Sequence, residues 1–252
     1  MHNPVVHLSM WAENNLSLET YNMVIAIVFL SVLSILSFFV LRQLAANRTQ
    51  QKLKLIYLIG TVALIVVHSR FMFDSNIEVI HSFEFTFLAF LIFPLTKRFG
   101  ATVFFTLPFM LFDEWFQYIV LYPQWNDYFD LNDILMDTYG CGLTMVVLMM
   151  FGVKGNANIQ PVWKRPEFIS LIASVIAVLV LVKICFIATY ANNACSNTWL
   201  IMNQRTSPEP FFRYHPTHHI WFHVMQPLEG LIAIVMLHLS YFGLDSFRAK
   251  TP

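Results

Sequence analysis

Long apolar stretches recur along this chain, and they constrain its fold more than any other feature. A helix needs about 20 mainly apolar residues to cross a bilayer, and seven stretches come close to that length. They lie at 21–41, 53–69, 79–95, 101–121, 131–153, 167–190 and 217–243. With 57% apolar and only 12% charged residues, the 252-residue chain is too apolar for a soluble core of its size. The sequence therefore predicts one all-α domain over 1–252, a polytopic membrane protein of about seven transmembrane helices.

The distribution of basic residues predicts how these helices are oriented. Eleven Lys and Arg residues follow the odd-numbered helices, at 42–54, 97–98, 154–165 and 248–250, whereas three lie in the alternate connections. Cytoplasmic connections carry an excess of Lys and Arg. We therefore expect the N-terminus outside the cell, the C-terminus in the cytoplasm and the long connection 191–216 outside.

Charge and cysteine content exclude other classes of protein. The formal net charge is zero, so no basic excess indicates a nucleic-acid partner. The cysteines Cys141, Cys185 and Cys195 are too few and too scattered for a disulfide framework or a zinc ribbon. The candidate chemistry therefore depends on acidic residues and histidines, and membrane lipids are the expected surroundings. Nothing in the sequence fixes the oligomeric state.

Acidic side chains collect in the outer half of the predicted bundle. Twelve of the fifteen Asp and Glu residues lie in that half or in the outer connections. An acid inside an apolar helix costs about 2.5–3.5 kcal/mol to insert and usually faces a bundle interior or a water-filled cavity. We expect one outward-open polar cavity among helices two to seven, with Lys183 as a counter-ion. The candidate catalytic residues that line it are Glu84, Asp113, Glu114, Gln117, Asp133 and Asp137.

Histidines crowd the start of the seventh predicted helix. If Pro216 opens that helix, His219 and His223 lie one turn apart and share a face with Gln226. Imidazoles at this spacing recur in zinc sites, so zinc or another transition metal is a predicted cofactor. A histidine cluster bound to water and lipid head groups, or a di-iron site at 215–219, are the alternatives. The predicted metal ligands are His68, His81, His215, His218, His219 and His223.

Three short motifs in the middle of the chain follow one another at regular spacing. The first is Ile80-His81-Ser82-Phe83-Glu84-Phe85, and the second is Asp113-Glu114-Trp115-Phe116-Gln117. The third is Asp133-Ile134-Leu135-Met136-Asp137-Thr138-Tyr139-Gly140. Over about residues 77–145 this pattern resembles the VanZ-like membrane proteins. That family usually has Asn where Asp137 stands, and it commonly carries an arginine after the second motif that is absent here.

The resemblance implies an envelope protein whose functional face points outward, in the cytoplasmic membrane of a bacterium. Some VanZ-like proteins are tied to glycopeptide-antibiotic resistance, and the family has no established chemistry. The VanZ-like core would cover about 53–153, with added helices at 21–41, 167–190 and 217–243. The His-x-x-x-His run at His219 and His223 also resembles seven-helix hydrolases of the alkaline-ceramidase type. Those hydrolases carry a Ser-x-x-x-His motif as well, and here Ile77 stands at its serine position.

Three functions are compatible with these residues. The first is a metal-dependent enzyme acting on a lipid or lipid-linked envelope substrate, with Asp113 or Glu114 as general base toward metal-bound water. The second is a non-catalytic protein that binds a lipid, a cell-wall precursor or a glycopeptide antibiotic in the same cavity. The third is a cation- or proton-coupled carrier, because intramembrane acids and histidines also relay protons.

Overall fold

The computed structural model of the protein describes residues 51–72, 80–121, 127–156, 160–205, 210–215 and 220–246, with scattered positions before residue 51. This part of the chain is mostly helical, as predicted. Its α-helices are α1 Gln51–Phe71, α2 Ile80–Thr96, α3 Phe99–Phe116, α4 Leu131–Met150, α5 Pro166–Lys183 and α6 Pro227–Phe242. A π-helical segment, Gln117–Leu121, continues α3, and short 3₁₀ turns lie at Val162–Lys164, Ala191–Asn193 and Gly243–Ser246. The described positions between 20 and 42 are also helical.

Two short strand pairs lie between α5 and α6. Strand β1, Ile187–Ala188, pairs in parallel with β2, Leu200–Ile201. Strand β3, Arg213–His215, pairs antiparallel with β4, Ile220–Phe222. The connection from α5 to α6 therefore has secondary structure of its own.

Helix α4 is the centre of the bundle, and it packs against α1, α2, α3 and α6. Small residues let the backbones approach: a Cβ at Gly140 would lie 2.0 Å from the carbonyl oxygen of Ser82 in α2. The Thr86 hydroxyl donates to the carbonyl oxygen of Gly140 at 3.1 Å. Small residues and interhelical hydrogen bonds are the usual means of helix association in lipid.

Four described helices are long and apolar enough to cross a membrane, at Lys52–Phe71, Leu131–Met150, Pro166–Lys183 and Pro227–Ser246. Large apolar side chains are exposed along the outer faces of α1, α2, α3 and α5. A soluble monomer rarely exposes so much contiguous apolar surface, whereas lipid covers it in a membrane protein. The chain is thus a helical protein with four candidate spans, and the count of seven and the orientation stay predictions.

The predicted helix over 217–243 begins ten residues too early. Residues 220–222 form strand β4, and α6 begins at Pro227. Pro227 occupies the first turn, and Gln226 and Glu229 form a reciprocal capping box that fixes the start of the helix. The β-branched and aromatic run of β4 suits a strand and pairs with β3. The helix predicted over 167–190 is shorter in the structure, where it ends at Lys183.

Four charged residues pair where α3 and α5 begin and α6 ends; we call Arg98, Arg165, Glu167 and Asp245 the ionic network. Arg98 Nη1 lies 2.6 Å from Glu167 Oε1, and Arg98 Nη2 lies 3.3 Å from Asp245 Oδ2. Arg165 Nη1 lies 3.6 Å from the same Asp245 oxygen. The Gly100 N–H also donates to Asp245 Oδ1 at 2.8 Å. The network balances two positive and two negative charges and ties three helices together.

Candidate functional site

Five carboxylates from three helices converge at the other end of the bundle; we call Glu84 of α2, Asp113 and Glu114 of α3, and Asp133 and Asp137 of α4 the acidic cluster. The other four carboxyl groups all lie close enough to Asp137 for an electrostatic interaction with it. Those of Asp133 and Asp113 also interact with Glu114. The structure therefore brings together five of the six residues that the sequence places in a polar cavity, and Gln117 joins them through Asp113.

Glu114 links α3 to the start of α4. Its side chain is only 3% exposed, and Oε1 accepts a hydrogen bond from the backbone N–H of Asp130 at 2.5 Å. Asp130 is the N-cap of α4, and its Oδ1 accepts from the backbone N–H of Asn132 at 2.8 Å. Because Glu114 holds the capping residue, it also fixes where α4 begins and where its acids lie.

Asp113 has different surroundings, although it precedes Glu114 in the chain. It is half-buried, and its Oδ2 accepts a hydrogen bond from Gln117 Nε2 at 2.9 Å. Glu84 and Asp133 are likewise half-buried, whereas Asp137 is only 2% exposed. The acidic cluster therefore extends from the partly exposed ends of α2, α3 and α4 into the packed interior.

His68 stands against the helix that carries Asp133 and Asp137. It is buried in the last turn of α1 and hydrogen-bonds with the backbone of Asn132. Its ring meets the Tyr139 ring edge-on, with centroids 5.5 Å apart. Lys183, the predicted counter-ion, is exposed at the end of α5 instead of buried beside the acids.

His223 is not on a helix, so the prediction that His219, His223 and Gln226 share one helix face is wrong. Its Nδ1 hydrogen-bonds with the carbonyl oxygen of Phe211, and its Nε2 lies 3.0 Å from Glu229 Oε2. Its ring stacks on the Phe211 ring, with centroids 4.1 Å apart. A carbonyl oxygen only accepts, so Nδ1 carries the proton of that bond. Both ring nitrogens of His223 are thus engaged with protein oxygens.

The metal site stays a prediction. Within the described ranges, no three His, Cys, Asp or Glu side chains form a group that would hold a metal ion. His218 and His219 lie outside the described residues, as do the side chains of His81 and His215. Of the predicted ligands, the structure describes the side chains of His68 and His223 alone: the His68 ring contacts Tyr139, and the His223 ring stacks on Phe211.

The connection after α5 contains a feature that the cysteine count does not predict. Cys185 and Cys195 form a disulfide with Cα atoms 5.8 Å apart. The Tyr118 hydroxyl, just after α3, donates to the carbonyl oxygen of Ile201 at 2.6 Å. The helix predicted over 167–190 contained Cys185, and the two cysteines share one connection only because this helix ends at Lys183. The disulfide-closed segment is therefore fixed to the same end of the bundle as the acidic cluster.

A comparison of the chain with known protein families, with characterised proteins and with solved structures finds no match. The resemblance to VanZ-like proteins accordingly depends on the motif residues themselves.

Proposed function

We propose that this chain is an envelope protein that binds the head group of a lipid or lipid-linked molecule in the acidic cluster. One observation carries the proposal: five carboxylates from α2, α3 and α4 converge in a bundle whose outer surface is apolar. Placing an acid at such a position costs free energy, and intramembrane acids usually mark sites that bind or transfer a polar partner. A head group that bears an amine and hydroxyls would supply both positive charge and hydrogen-bond donors to these oxygens.

The acidic cluster would face the outside of the cell, in the cytoplasmic membrane of a bacterium. The excess of Lys and Arg at the opposite end of the bundle supports this orientation. The Cys185–Cys195 disulfide supports it independently, because disulfides persist in oxidising compartments and are rare in the cytosol. The disulfide lies at the end of the bundle that holds the acidic cluster.

The convergence also supports a VanZ-like core. Glu84 comes from the first motif, Asp113 and Glu114 from the second, and Asp133 and Asp137 from the third. Motifs that serve one site must meet in space, and these three meet in the acidic cluster. The ligand class that the resemblance implies, a cell-wall precursor or a glycopeptide, includes molecules with amine-bearing polar groups.

A second candidate is an enzyme acting on the same molecule. Asp113 is half-buried and bound to an amide, whereas Glu114 is buried and bound to a backbone N–H. Two carboxylates in unlike surroundings suit the roles of acid and base in one reaction. A metal-dependent form of this enzyme would also need the histidine ligands that the sequence predicts.

Lipid retention tests the binding proposal. Wild-type protein, Asp137→Asn and Asp127→Asn would be purified in nanodiscs from a native lipid extract, and retained lipids identified by native mass spectrometry. Asp127 is an exposed acid on the same side, outside the acidic cluster, so its variant is the matched control. We expect wild type and Asp127→Asn to retain an amine-bearing lipid and Asp137→Asn to lose it. Equal retention by all three proteins would contradict the proposal.

The same preparations separate the candidate functions. A retained head group that changes mass on incubation indicates an enzyme, whereas an unchanged one indicates a binding protein. Flux of protons or cations into sealed vesicles indicates a carrier. Metal content measured on the wild-type protein tests the predicted zinc or other transition metal directly.

A further inference from the structure

A row of neighbouring aromatic rings lies where α3 and α5 end; we call Phe112, Trp115, Trp199 and Phe186 the aromatic row. The centroids of Phe112 and Trp115 are 5.8 Å apart, those of Trp115 and Trp199 6.3 Å, and those of Trp199 and Phe186 5.8 Å. Phe112 is 61% exposed and Trp199 is 58% exposed. Large aromatic side chains are seldom left this open to water.

The segment that carries Phe186 and Trp199 is held rigidly. The Cys185–Cys195 disulfide closes residues 185–195, and the backbone N–H of Trp199 donates to the carbonyl oxygen of Phe186 at 2.9 Å. The Thr198 hydroxyl donates to the carbonyl oxygen of Cys185 at 2.9 Å. The exposure of the two rings is therefore built into the fold of the segment.

We propose that the aromatic row lies at the boundary between lipid head groups and acyl chains, so that segment 184–201 rests on the bilayer. Trp and other aromatic residues concentrate at this boundary because their rings are apolar and, in Trp, the N–H is polar. The row continues the exposed apolar face of α3, where Phe105 and Phe109 are open. Lys183 is exposed at the end of α5, and a lysine at a helix end places its charge among head groups.

Continuity with the lipid-facing surface favours the bilayer over a soluble ligand. A sugar or peptide stacking on Trp199 would have to displace lipid from the adjoining face of α3. The depth of segment 184–201 in the bilayer does not depend on what the acidic cluster binds.

Depth-dependent quenching of tryptophan fluorescence tests this inference. A variant would keep Trp199 as the single tryptophan, with Phe replacing Trp11, Trp115, Trp125, Trp163 and Trp221. It would be reconstituted into phosphatidylcholine vesicles whose acyl chains carry bromine either near the head group or near the chain end. We expect bromine near the head group to quench Trp199 at least about twofold more strongly than bromine near the chain end.

A matched control calibrates depth. Phe87→Trp in a tryptophan-free background places the probe on the exposed face in the middle of α2. That probe should show the reverse preference. If the single-tryptophan protein does not fold, the difference in quenching between wild type and Trp199→Phe gives the same information. Strong quenching of Trp199 by aqueous iodide, with none by either brominated lipid, would overturn the inference and indicate a surface for a soluble ligand.

Discussion

The two ends of the helix bundle differ in how their charged residues are grouped. In the ionic network, two arginines and two acids pair within 2.6–3.6 Å. In the acidic cluster, by contrast, the buried carboxyl groups of Asp137 and Glu114 have other acids as their charged neighbours. Paired buried charges hold a fold together, and removing one partner is costly. Gathered like charges work against the fold, and they persist where a ligand or a reaction needs them. The ionic network is therefore structural, and the acidic cluster is the candidate site.

Removal of Arg165 should give the largest loss of stability. Arg165 is 2% exposed, and Arg165→Met would leave the buried carboxylate of Asp245 short of one partner. We expect the free energy of unfolding in detergent to fall by about 3–5 kcal/mol. Lys164→Met, at the exposed neighbouring position, is the control and should change stability by less than about 0.5 kcal/mol. Equal stability of the two variants would remove the structural role of the ionic network.

A methyl group at Gly140 tests whether the acidic cluster needs its close helix approach. Gly140→Ala would push the backbone of Ser82 away and separate α2, with Glu84, from α4, with Asp137. We expect a loss of about 1–3 kcal/mol together with weaker ligand binding. Gly60→Ala is the control, because nothing lies near a Cβ there and Ala favours a helix. A Gly140→Ala protein as stable as Gly60→Ala would show that the α2–α4 packing is not as described.

Neutralising one acid at each end should shift stability in opposite directions. Asp137→Asn removes the cost of burying an ionisable carboxyl group beside other acids, and we expect a gain of about 0.5–2 kcal/mol in unfolding free energy. Asp245→Asn removes a charge that two arginines contact, and it should destabilise the protein. Chemical unfolding of both variants in the same detergent measures the contrast. Losses of similar size in both would end the distinction between the two regions.

The smallest effect is expected at an exposed ion pair near the acidic cluster. Arg205 Nη2 lies 3.0 Å from Asp127 Oδ2, and the Asp127 side chain is largely open to solvent. Asp127→Asn should cost less than about 1 kcal/mol, because exposed pairs are screened by water and salt. The same unfolding experiment gives the value. A loss of stability as large as that of Arg165→Met would contradict the view that buried ion pairs stabilise this protein more than exposed ones.

The parts of the fold that depend on local sequence were predictable. Helix α4 begins at Leu131 as predicted, since its length and apolar character are continuous in the sequence. The burial of Glu114 and Asp137 was also expected, because acids inside apolar helices usually face the bundle interior. Both predictions use information contained within single segments.

The misses involve competing local signals or partners far apart in the chain. Pro216 and Pro227 could each begin a helix. The helix begins at Pro227, where Gln226 and Glu229 form a capping box. The pairing of Arg165 with Asp245 joins residues eighty positions apart and requires the packing of α5 against α6. Segment lengths and charge counts carry no information about that contact.

Titration of the reconstituted protein with two matched lipids tests the central claim most directly. Phosphatidylethanolamine carries a free amine, and its N-acetylated analogue has the same chains without the positive charge. We expect wild type to bind the free amine at least about tenfold more tightly than the analogue, which corresponds to about 1.4 kcal/mol. Asp137→Asn should lose this preference, and Asp127→Asn should keep it. Equal affinity of the wild-type protein for the two lipids would contradict the claim that the acidic cluster binds a cationic head group.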